Sequence, residues 1–374
     1  MKQPEYSGHG WAIHNSDCVE GMHAMPADSV DCAIFSPPFG DLFVYSDSER
    51  DLGNAGDGDA FLEQYRFFAD ALTRVMRPGR IACVHCSDLP MRKGKHGHIG
   101  LHDFSGDLIR AHTAAGLVYH GRATIWKDPV VEMQRTKALG LLYKQIRKDS
   151  AMNRVGMPDY MLFFRKDAPN PRPIEHAEPE VIETMISGHY CYICDIEHEY
   201  SSDFCPDCGN DIRVVNSTNR LISDKAMSIA REWFDDLRRE GLCASVPDDD
   251  LLASLVSEAE FDVMHWQRLA SPVWMNIQQG NVLRTFRKAK GPNDEKHVCP
   301  LQLDVIRKCL RLYTRPGDVV MDPFNGIGST GYEAVKARRK YLGFELKPEY
   351  AEQANLNLQD AANQGTDMLS ALGL

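Results

Sequence analysis

Two short stretches of this 374-residue chain combine residue types that could carry out chemistry. The first is Ser36-Pro37-Pro38-Phe39, which follows an apolar run over residues 31–35. Such a run predicts a buried strand that ends at the prolines. Ligands of open α/β sheets bind beyond the carboxyl ends of the strands, and two prolines would hold a loop rigid there. The hydroxyl and the aromatic ring could then face a ligand, although a proline pair after a strand is also a common stiff exit turn.

The second stretch, residues 318–331, predicts a strand, a glycine-containing turn and the start of a helix. It contains neither GxGxxG nor GK[ST], which disfavours a loop that grips phosphate. Gly326 and Gly328 still allow the backbone to approach a ligand closely. A further predicted strand over residues 340–344 ends at Glu345. From that position a carboxylate can hold a ribose diol in a doubly wound sheet.

Together these stretches resemble the S-adenosylmethionine-dependent DNA methyltransferases that modify exocyclic amino groups. The resemblance rests on Ser36-Pro37-Pro38-Phe39, on residues 322–330 and on residues 343–350, and it covers roughly residues 10–165 and 275–360. In that family, a Pro-Pro motif that precedes the cofactor loop marks the beta class. The resemblance implies an α/β fold with a Rossmann-like, doubly wound and mostly parallel sheet, in which the order of the motifs along the chain is permuted.

The resemblance also implies a site for S-adenosylmethionine. Its residues would be Asp17, His297, Pro300, Asp322, Pro323, Phe324, Asn325, Gly326, Gly328, Ser329, Thr330 and Glu345. Asp17 holds the family's position for contact with the adenine amino group, and aspartate at this position also suits a helix N-cap. The family often has a His-Pro pair where this chain has His297 and then Val298, and a histidine before a helix is as often structural.

The catalytic residues implied by the resemblance are Ser36, Pro37, Pro38 and Phe39. The Ser36 hydroxyl and the Pro37 carbonyl would accept hydrogen bonds from the amine of a flipped base, while Phe39 stacks on that base. Methyl transfer would then be direct. Ser-Pro-Pro-Phe is more usual in the family for N4 of cytosine, which we favour, but a hydroxyl is chemically compatible with N6 of adenine as well. Alternatives are an RNA or protein amine methyltransferase and a catalytically silent nucleic-acid-binding module.

A four-cysteine pattern lies in a compositionally distinct insert over residues 171–274. Cys191, Cys194, Cys205 and Cys208 form two CxxC pairs, a spacing typical of a closed structural zinc site, although rubredoxin-like iron sites use similar ligands. The predicted zinc ribbon covers about residues 188–212. We interpret the insert as a target-recognition lobe between the two parts of a catalytic domain, residues 1–170 and 275–374. A stabilising knob or an oligomer contact is the alternative role for the ribbon.

Composition limits the remaining possibilities. No apolar run approaches the length of a membrane span, the first residues contain no signal-peptide core, and we therefore expect a cytoplasmic protein. The eleven cysteines then favour thiols and metal ligands over disulfides. A net charge of −11 is unusual for a protein whose partner would be double-stranded DNA, but a basic tract over residues 135–154 suits phosphates. A homodimer and a cognate restriction nuclease are further possible partners.

Three local predictions complete the sequence analysis. Residues 40–59 predict a loop that could close over a flipped base, or a plain surface loop. A helix over residues 61–76 should stop at Pro78-Gly79, before a strand over residues 80–86. Cys83 and Cys86 have chelate spacing, but on a strand they would point to opposite faces, and we expect them to be core residues.

Overall fold

A computed structural model of the protein describes residues 3–39, 58–91, 93–136, 139–178, 180–191, 196–198, 213–221, 223–244, 246–287 and 300–370. The strands are β1 Tyr6–Gly8, β2 Trp11–His14, β3 Val30–Phe35, β4 Met76–Ser87, β5 Leu89–Met91, β6 Gly100–His102, β7 Leu117–Ile125, β8 Asp159–Lys166, β9 Glu180–Cys191, β10 Ile196–His198, β11 Arg213–Leu221, β12 Val273–Trp274, β13 Val319–Asp322 and β14 Lys340–Phe344. The helices are α1 Cys18–His23, α2 Gly58–Val75, α3 Lys93–His96, α4 Phe104–Ala114, α5 Pro129–Thr136, α6 Tyr143–Lys148, α7 Asp224–Arg239, α8 Asp248–Ala259, α9 Val263–Leu269, α10 Leu303–Tyr313, α11 Ser329–Lys336 and α12 Pro348–Ser370.

A large mixed sheet organises the molecule. Within the described residues it has nine strands in the order β1-β2-β14-β13-β3-β4-β8-β7-β12. β1 and β8 are antiparallel to their neighbours, whereas the remaining neighbouring pairs are parallel. Seven strands therefore run in one direction, as expected for a mostly parallel sheet. We call the side of the sheet where these seven strands end the carboxyl edge, and the side where they begin the amino edge.

Helices cover both faces of this sheet. Along β3, Ala33 and Phe35 pack into a core with α1, α2 and α4, whereas Cys32 and Ile34 pack into a second core with α10, α11 and α12. All six residues of β3 are buried, which explains its nearly continuous apolar sequence. Burial of apolar surface on two faces is the main stabilising contribution to such a fold.

The helices of the insert dock on the amino edge. α7 and α8 share a separate apolar core. Glu240, which caps α7, lies 2.7 Å from Lys340 Nζ, and Glu258 of α8 lies 2.7 Å from Arg339 Nη1. Arg339 and Lys340 stand where β14 begins, at the end farthest from its carboxyl terminus. These helices are therefore on the side of the sheet opposite to the Ser36 loop.

A long hairpin precedes these helices in the insert. β9 and β11 pair antiparallel from Glu180 and Leu221 to Tyr190 and Arg213, and β10 pairs with the far end of β9. Of the predicted cysteine ribbon, the structure describes only the end of β9 with Cys191 and the strand β10.

The helix and the strand predicted over residues 61–86 are both present in the structure, but their boundaries differ from the predicted ones. The helix predicted over residues 61–76 is α2, but β4 begins at once after it and contains Pro78 and Gly79. The pairing of β3 with β4 shifts register around Pro78 and Gly79, since Val30 pairs with Met76 while Cys32 pairs with Ile81. Most of the loop predicted after the Ser36 motif, residues 40–57, lies outside the described residues. No described helix is long and apolar enough to cross a membrane.

Candidate active site

The two motifs singled out in the sequence meet at the carboxyl edge. β3, which ends at the Ser36 loop, lies directly beside β13, which ends at Asp322. The Thr330 hydroxyl, at the start of α11, donates a 3.2 Å hydrogen bond to the Ile34 carbonyl. The Ser36 loop and the glycine-containing loop are thus held side by side by strand order and by a direct hydrogen bond.

Two glycines shape the loop between β13 and α11. Gly326 and Gly328 have φ angles of 51° and 81°, in the left-handed region that glycine favours. A Cβ atom at Gly328 would lie 2.9 Å from Leu358 Cδ1, whereas a Cβ at Gly326 would project into open space. Gly328 therefore permits close packing against α12, and Gly326 leaves room beside the loop.

Two carboxylates lie at the strand ends near this loop. Glu345 follows β14 and accepts a 2.7 Å hydrogen bond from the Gly326 backbone N–H. Asp17 follows β2, the strand next to β14, and caps α1 by accepting a 2.9 Å hydrogen bond from the Glu20 backbone N–H. Both residues predicted to face the cofactor thus lie at the ends of neighbouring strands. The capping role of Asp17 is confirmed.

Asp322 is the buried acid of this loop. Its carboxylate accepts a 3.0 Å hydrogen bond from the Phe324 backbone N–H. Burial nevertheless raises the pKa of Asp322 to about 7, with a further raising contribution from Glu345. The site therefore holds a carboxyl group that gains or loses a proton near neutral pH, and a nearby cation would favour its charged form.

Several other residues predicted for the cofactor support the loop from inside. Asn325 is buried, with its Oδ1 accepting a 2.6 Å hydrogen bond from the Tyr341 hydroxyl, and the Phe324 ring packs 4.8 Å from the Phe68 ring. Pro323, Ser329 and Thr330 are also buried. Pro300 lies just before α10, while His297 falls outside the described residues.

The Ser36 loop, residues 36–39, is anchored to β4. Pro37 and Pro38 are buried, and the Phe39 ring meets the Phe104 ring edge-on at a centroid distance of 6.1 Å. Ser36 is half-buried, with Oγ 3.2 Å from His85 Nδ1 and 3.4 Å from the His85 carbonyl oxygen. The hydroxyl is therefore oriented by His85.

A charged chain that the sequence analysis missed continues behind His85. His85 Nε2 lies 3.5 Å from Asp159 Oδ2, and Lys127 Nζ lies 2.6 Å from Asp159 Oδ1. Burial alone would raise the pKa of Asp159, but contacts with His85 and Lys127 lower it to about 2. The only sequence signal was the alternation along β4, which places His85 on the face opposite to Cys86.

Metal ligation remains a prediction. No group of three or more potential ligands that could hold a metal occurs among the described residues. Cys194, Cys205 and Cys208 lie outside the described residues, and Cys191 ends β9. Cys83 and Cys86 are buried in different cores, as expected for two core residues.

A basic segment also lies at the carboxyl edge. Residues 127–158, here called the edge segment, connect Ile125 at the end of β7 to Asp159, its partner at the start of β8. On α6, Lys144, Arg147 and Lys148 are exposed, and none forms an ion pair with another described residue. Tyr143 beside them is 72% exposed. A cationic surface with an exposed aromatic ring thus lies on the same side of the sheet as the Ser36 loop.

An open α/β sheet with helices on both faces, a glycine-containing loop after a central strand and a carboxylate after the next strand define a doubly wound α/β fold. Within this class, the chain belongs to the N6/N4 DNA methylase family, whose profile matches residues 30–356.

Curated relatives match shorter segments. The Type II methyltransferase M.Cfr9I of Citrobacter freundii is 41% identical over 63 residues, covering 17% of this chain and 21% of that protein. M.XycI of Xanthomonas campestris pv. cyanopsidis is 35% identical over 98 residues, covering 25% and 31%. The DNA adenine methyltransferase YhdJ of Escherichia coli is 29% identical over 76 residues, covering 20% and 26%. The matches thus span less than a third of each relative's length.

Solved structures match nearly the whole chain. PvuII DNA methyltransferase, described as cytosine-N4-specific, has a TM-score of 0.51 at 14% identity, covering 98% of this chain and 96% of that one. TTHA0409 of Thermus thermophilus, in complex with S-adenosyl-L-methionine, has a TM-score of 0.52 at 17% identity, covering 94% and 93%. At these identities the likeness shows the shared fold.

Proposed function

We propose that the chain transfers a methyl group from S-adenosylmethionine to an exocyclic amino group of a base in double-stranded DNA. The observation that carries this proposal is the adjacency of β3 and β13, which brings the Ser36 hydroxyl next to the loop over residues 322–330. A polar acceptor for an amine thereby lies beside a glycine-containing loop flanked by carboxylates. Family membership supplies the reaction class.

The residues present fit S-adenosylmethionine. The space beside Gly326 would admit the part of S-adenosylmethionine that lies against the loop backbone. Glu345 and Asp17 offer hydrogen-bond acceptors for its ribose diol and its adenine amino group. Ser329 Oγ is buried and has no hydrogen-bond partner among the described residues. The bound cofactor would supply an electrophilic methyl group. The strand that leads to this loop comes late in the chain yet lies at the centre of the sheet, which supports the permuted order of the beta class.

The catalytic loop would act by orienting the amine. The amine's lone pair is delocalised into the base ring, so hydrogen bonds to Ser36 Oγ and the Pro37 carbonyl would favour a more pyramidal nitrogen. The buried prolines keep these two acceptors fixed. The base must leave the duplex to reach them, and Phe39 would border it.

We favour N4 of cytosine as the target, with N6 of adenine as the alternative. The support is the Ser36-Pro37-Pro38-Phe39 sequence, which resembles the cytosine-N4 enzymes of the family. Mass spectrometry of nucleosides from treated DNA should show N4-methylcytosine. Detection of N6-methyladenine alone would overturn the choice of base while leaving the fold unaffected.

DNA should lie across the carboxyl edge. The edge segment offers Lys144, Arg147 and Lys148 on that side, whereas α7 and α8 of the insert dock on the amino edge. We therefore assign phosphate contacts near the target base to the edge segment. Target recognition by the insert then falls to the β9–β11 hairpin and the four-cysteine ribbon, for which we propose a structural zinc. A partner nuclease would be consistent with the Type II names of the relatives.

Transfer of a labelled methyl group tests the proposed function. The chain should label duplex DNA, and RNA or protein should remain unlabelled. Ser36→Ala should abolish most of the transfer, while the matched change Ser7→Ala, on the exposed strand β1, should not. Labelling of RNA or protein in place of DNA would contradict the proposed substrate, and binding of DNA without any transfer would identify a silent binding module.

A further inference from the structure

A row of polar groups with a buried centre extends from the catalytic loop away from the proposed substrate. It consists of Ser36, His85, Asp159 and Lys127, which come from β3, β4, β8 and the end of β7. His85 and Asp159 are buried. Residues on four neighbouring parts of the sheet thus converge on one hydroxyl, and orientation of Ser36 alone would not require a carboxylate and a lysine behind the imidazole.

We propose that His85 and Asp159 form a proton relay behind Ser36, through which the methylated amine loses its proton. This inference rests on the proposed methyltransferase function. His85 and Asp159 act through Ser36 and are positioning residues that also determine where the proton goes.

Asp159 fixes the protonation pattern of His85. An ionised carboxylate 3.5 Å from Nε2 favours the imidazole tautomer that carries its proton on Nε2. Asp159 stays ionised across the working pH range, because its pKa is about 2. Nδ1 is then an acceptor, and it faces Ser36 Oγ at 3.2 Å. The Ser36 proton points to His85, so the lone pairs of the hydroxyl oxygen are left to accept a hydrogen bond from the amine.

The relay also accounts for the proton that the amine must lose after methyl transfer. The amine nitrogen forms a bond to the methyl carbon while the carbon–sulfur bond breaks, and that electron pair remains on sulfur, which becomes a neutral thioether. The nitrogen is left with an extra proton and a positive charge. Ser36 Oγ takes this proton as its own proton passes to His85 Nδ1. The resulting imidazolium is stabilised by Asp159 and later releases the proton to solvent.

A relay would compensate for the low basicity of the serine hydroxyl. A hydroxyl can accept a hydrogen bond, but it is too weak a base to keep the proton of a methylated amine. A neutral imidazole in contact with the hydroxyl supplies the missing base. The charged groups that approach His85 are Asp159 from β8 and, behind it, Lys127 from the end of β7. Lys127 balances the carboxylate, so that Asp159 can stay ionised although it is buried.

The test measures single-turnover methyl transfer over a range of pH, with S-adenosylmethionine and duplex DNA pre-bound to the full chain. A relay that needs Nδ1 of His85 as an acceptor predicts that the wild-type rate falls at acid pH. His85→Asn keeps an oxygen that can accept the Ser36 hydrogen bond but cannot take up a proton. We expect this variant to lose about a hundredfold or more in rate and to lose the acid limb, with unchanged cofactor affinity.

Two further variants complete the test. Asp159→Asn should also lower the rate and flatten the acid limb, because an amide no longer selects the tautomer. His120→Asn, at an exposed position of β7, is the matched control and should retain the wild-type rate and profile. If His85→Asn and Asp159→Asn are folded, bind cofactor and keep the wild-type rate or its acid limb, the relay is wrong. Absence of transfer by the wild-type chain would instead refute the proposed function itself.

Discussion

Gly326 donates its backbone N–H to the carboxylate of Glu345 at 2.7 Å, joining the glycine-containing loop to the end of the next strand. The bond holds one oxygen of the carboxylate toward the loop, while Glu345 Oε1 accepts a 2.9 Å hydrogen bond from the Lys347 backbone N–H. The carboxylate is thus fixed before any ligand arrives. A preformed acceptor of this kind loses little conformational freedom on binding.

Replacement of this carboxylate should weaken cofactor binding. We expect Glu345→Ala to raise the Kd for S-adenosylmethionine by about tenfold or more, since a hydrogen bond to a charged group contributes roughly 1.5–3 kcal/mol. Isothermal calorimetry measures the change. Glu349→Ala, in the first turn of α12, is the control and should bind normally. Unaltered binding by Glu345→Ala would remove Glu345 from the site.

Cofactor affinity should depend on pH through Asp322. Its raised pKa of about 7 means that the free protein carries a proton there at lower pH. The sulfonium cation favours the ionised carboxylate, so binding at low pH must release that proton. Affinity should therefore rise with pH up to about 7 and level off above it.

Asp322→Asn provides the matched variant for that titration. An amide resembles the protonated carboxyl that burial favours, so the variant should fold and bind with weaker, flatter pH dependence. Calorimetry at several pH values between about 5 and 8 would reveal the difference. An equally steep pH dependence in Asp322→Asn would assign the titration to another group.

Substitution of Gly326 and of Gly328 by alanine should affect stability and cofactor binding differently. Gly328→Ala would place an alanine in the left-handed region and its Cβ 2.9 Å from Leu358 Cδ1. Backbone strain of this kind costs about 1–2 kcal/mol, and because the close contact adds to it, the free energy of unfolding should fall by more than that. Gly326→Ala carries the strain alone and should be less destabilising, but its methyl group would occupy the space beside the loop. Thermal melting and cofactor titration together should separate these effects, and equal melting temperatures would contradict the packing role of Gly328.

The edge segment predicts a salt-dependent interaction with DNA. Changing Lys144, Arg147 and Lys148 together to glutamine should weaken duplex binding and reduce the slope of log K against log salt by about 2–3 units if all three contact phosphates. A triple change of Lys225, Arg231 and Arg239 to glutamine on α7, at the amino edge, is the control with equal charge loss. Similar losses in both variants would indicate a nonspecific charge effect.

The four-cysteine ribbon should hold about one zinc ion per chain. Cys205→Ser combined with Cys208→Ser should remove the metal and lower the melting temperature, because a closed structural site contributes folding free energy. Metal analysis by mass spectrometry measures the content. Iron in place of zinc would favour the rubredoxin-like alternative, and unchanged metal content would exclude these cysteines as ligands.

The sequence predicts the site's motifs better than it predicts their supports. Ser36, Asp322 and Glu345 were placed correctly at strand ends because apolar runs and turn residues are local features. The contact of Ser36 with His85 was not foreseen, since it depends on β3 and β4 being neighbours rather than on any nearby residue. The hydrogen bond from the Thr330 hydroxyl to the Ile34 carbonyl also depends on neighbouring strands, while the cofactor role of Thr330 stays a prediction. Likewise, no local pattern showed that α7 and α8 would dock on the amino edge.

The central position of β13 has a consequence for how the chain folds. β3 is made early in synthesis, but its partner Val319–Asp322 is separated from it by most of the chain. The middle of the sheet can therefore form only after the last strands have been made. Such pairing between distant segments gives the fold a high contact order, which slows folding. Until then, one side of β3 offers unpaired backbone groups, which makes the unfinished chain prone to association. The same late step supplies the glycine-containing loop, so a chain arrested before β13 would contain Ser36 but lack the residues proposed to bind the cofactor.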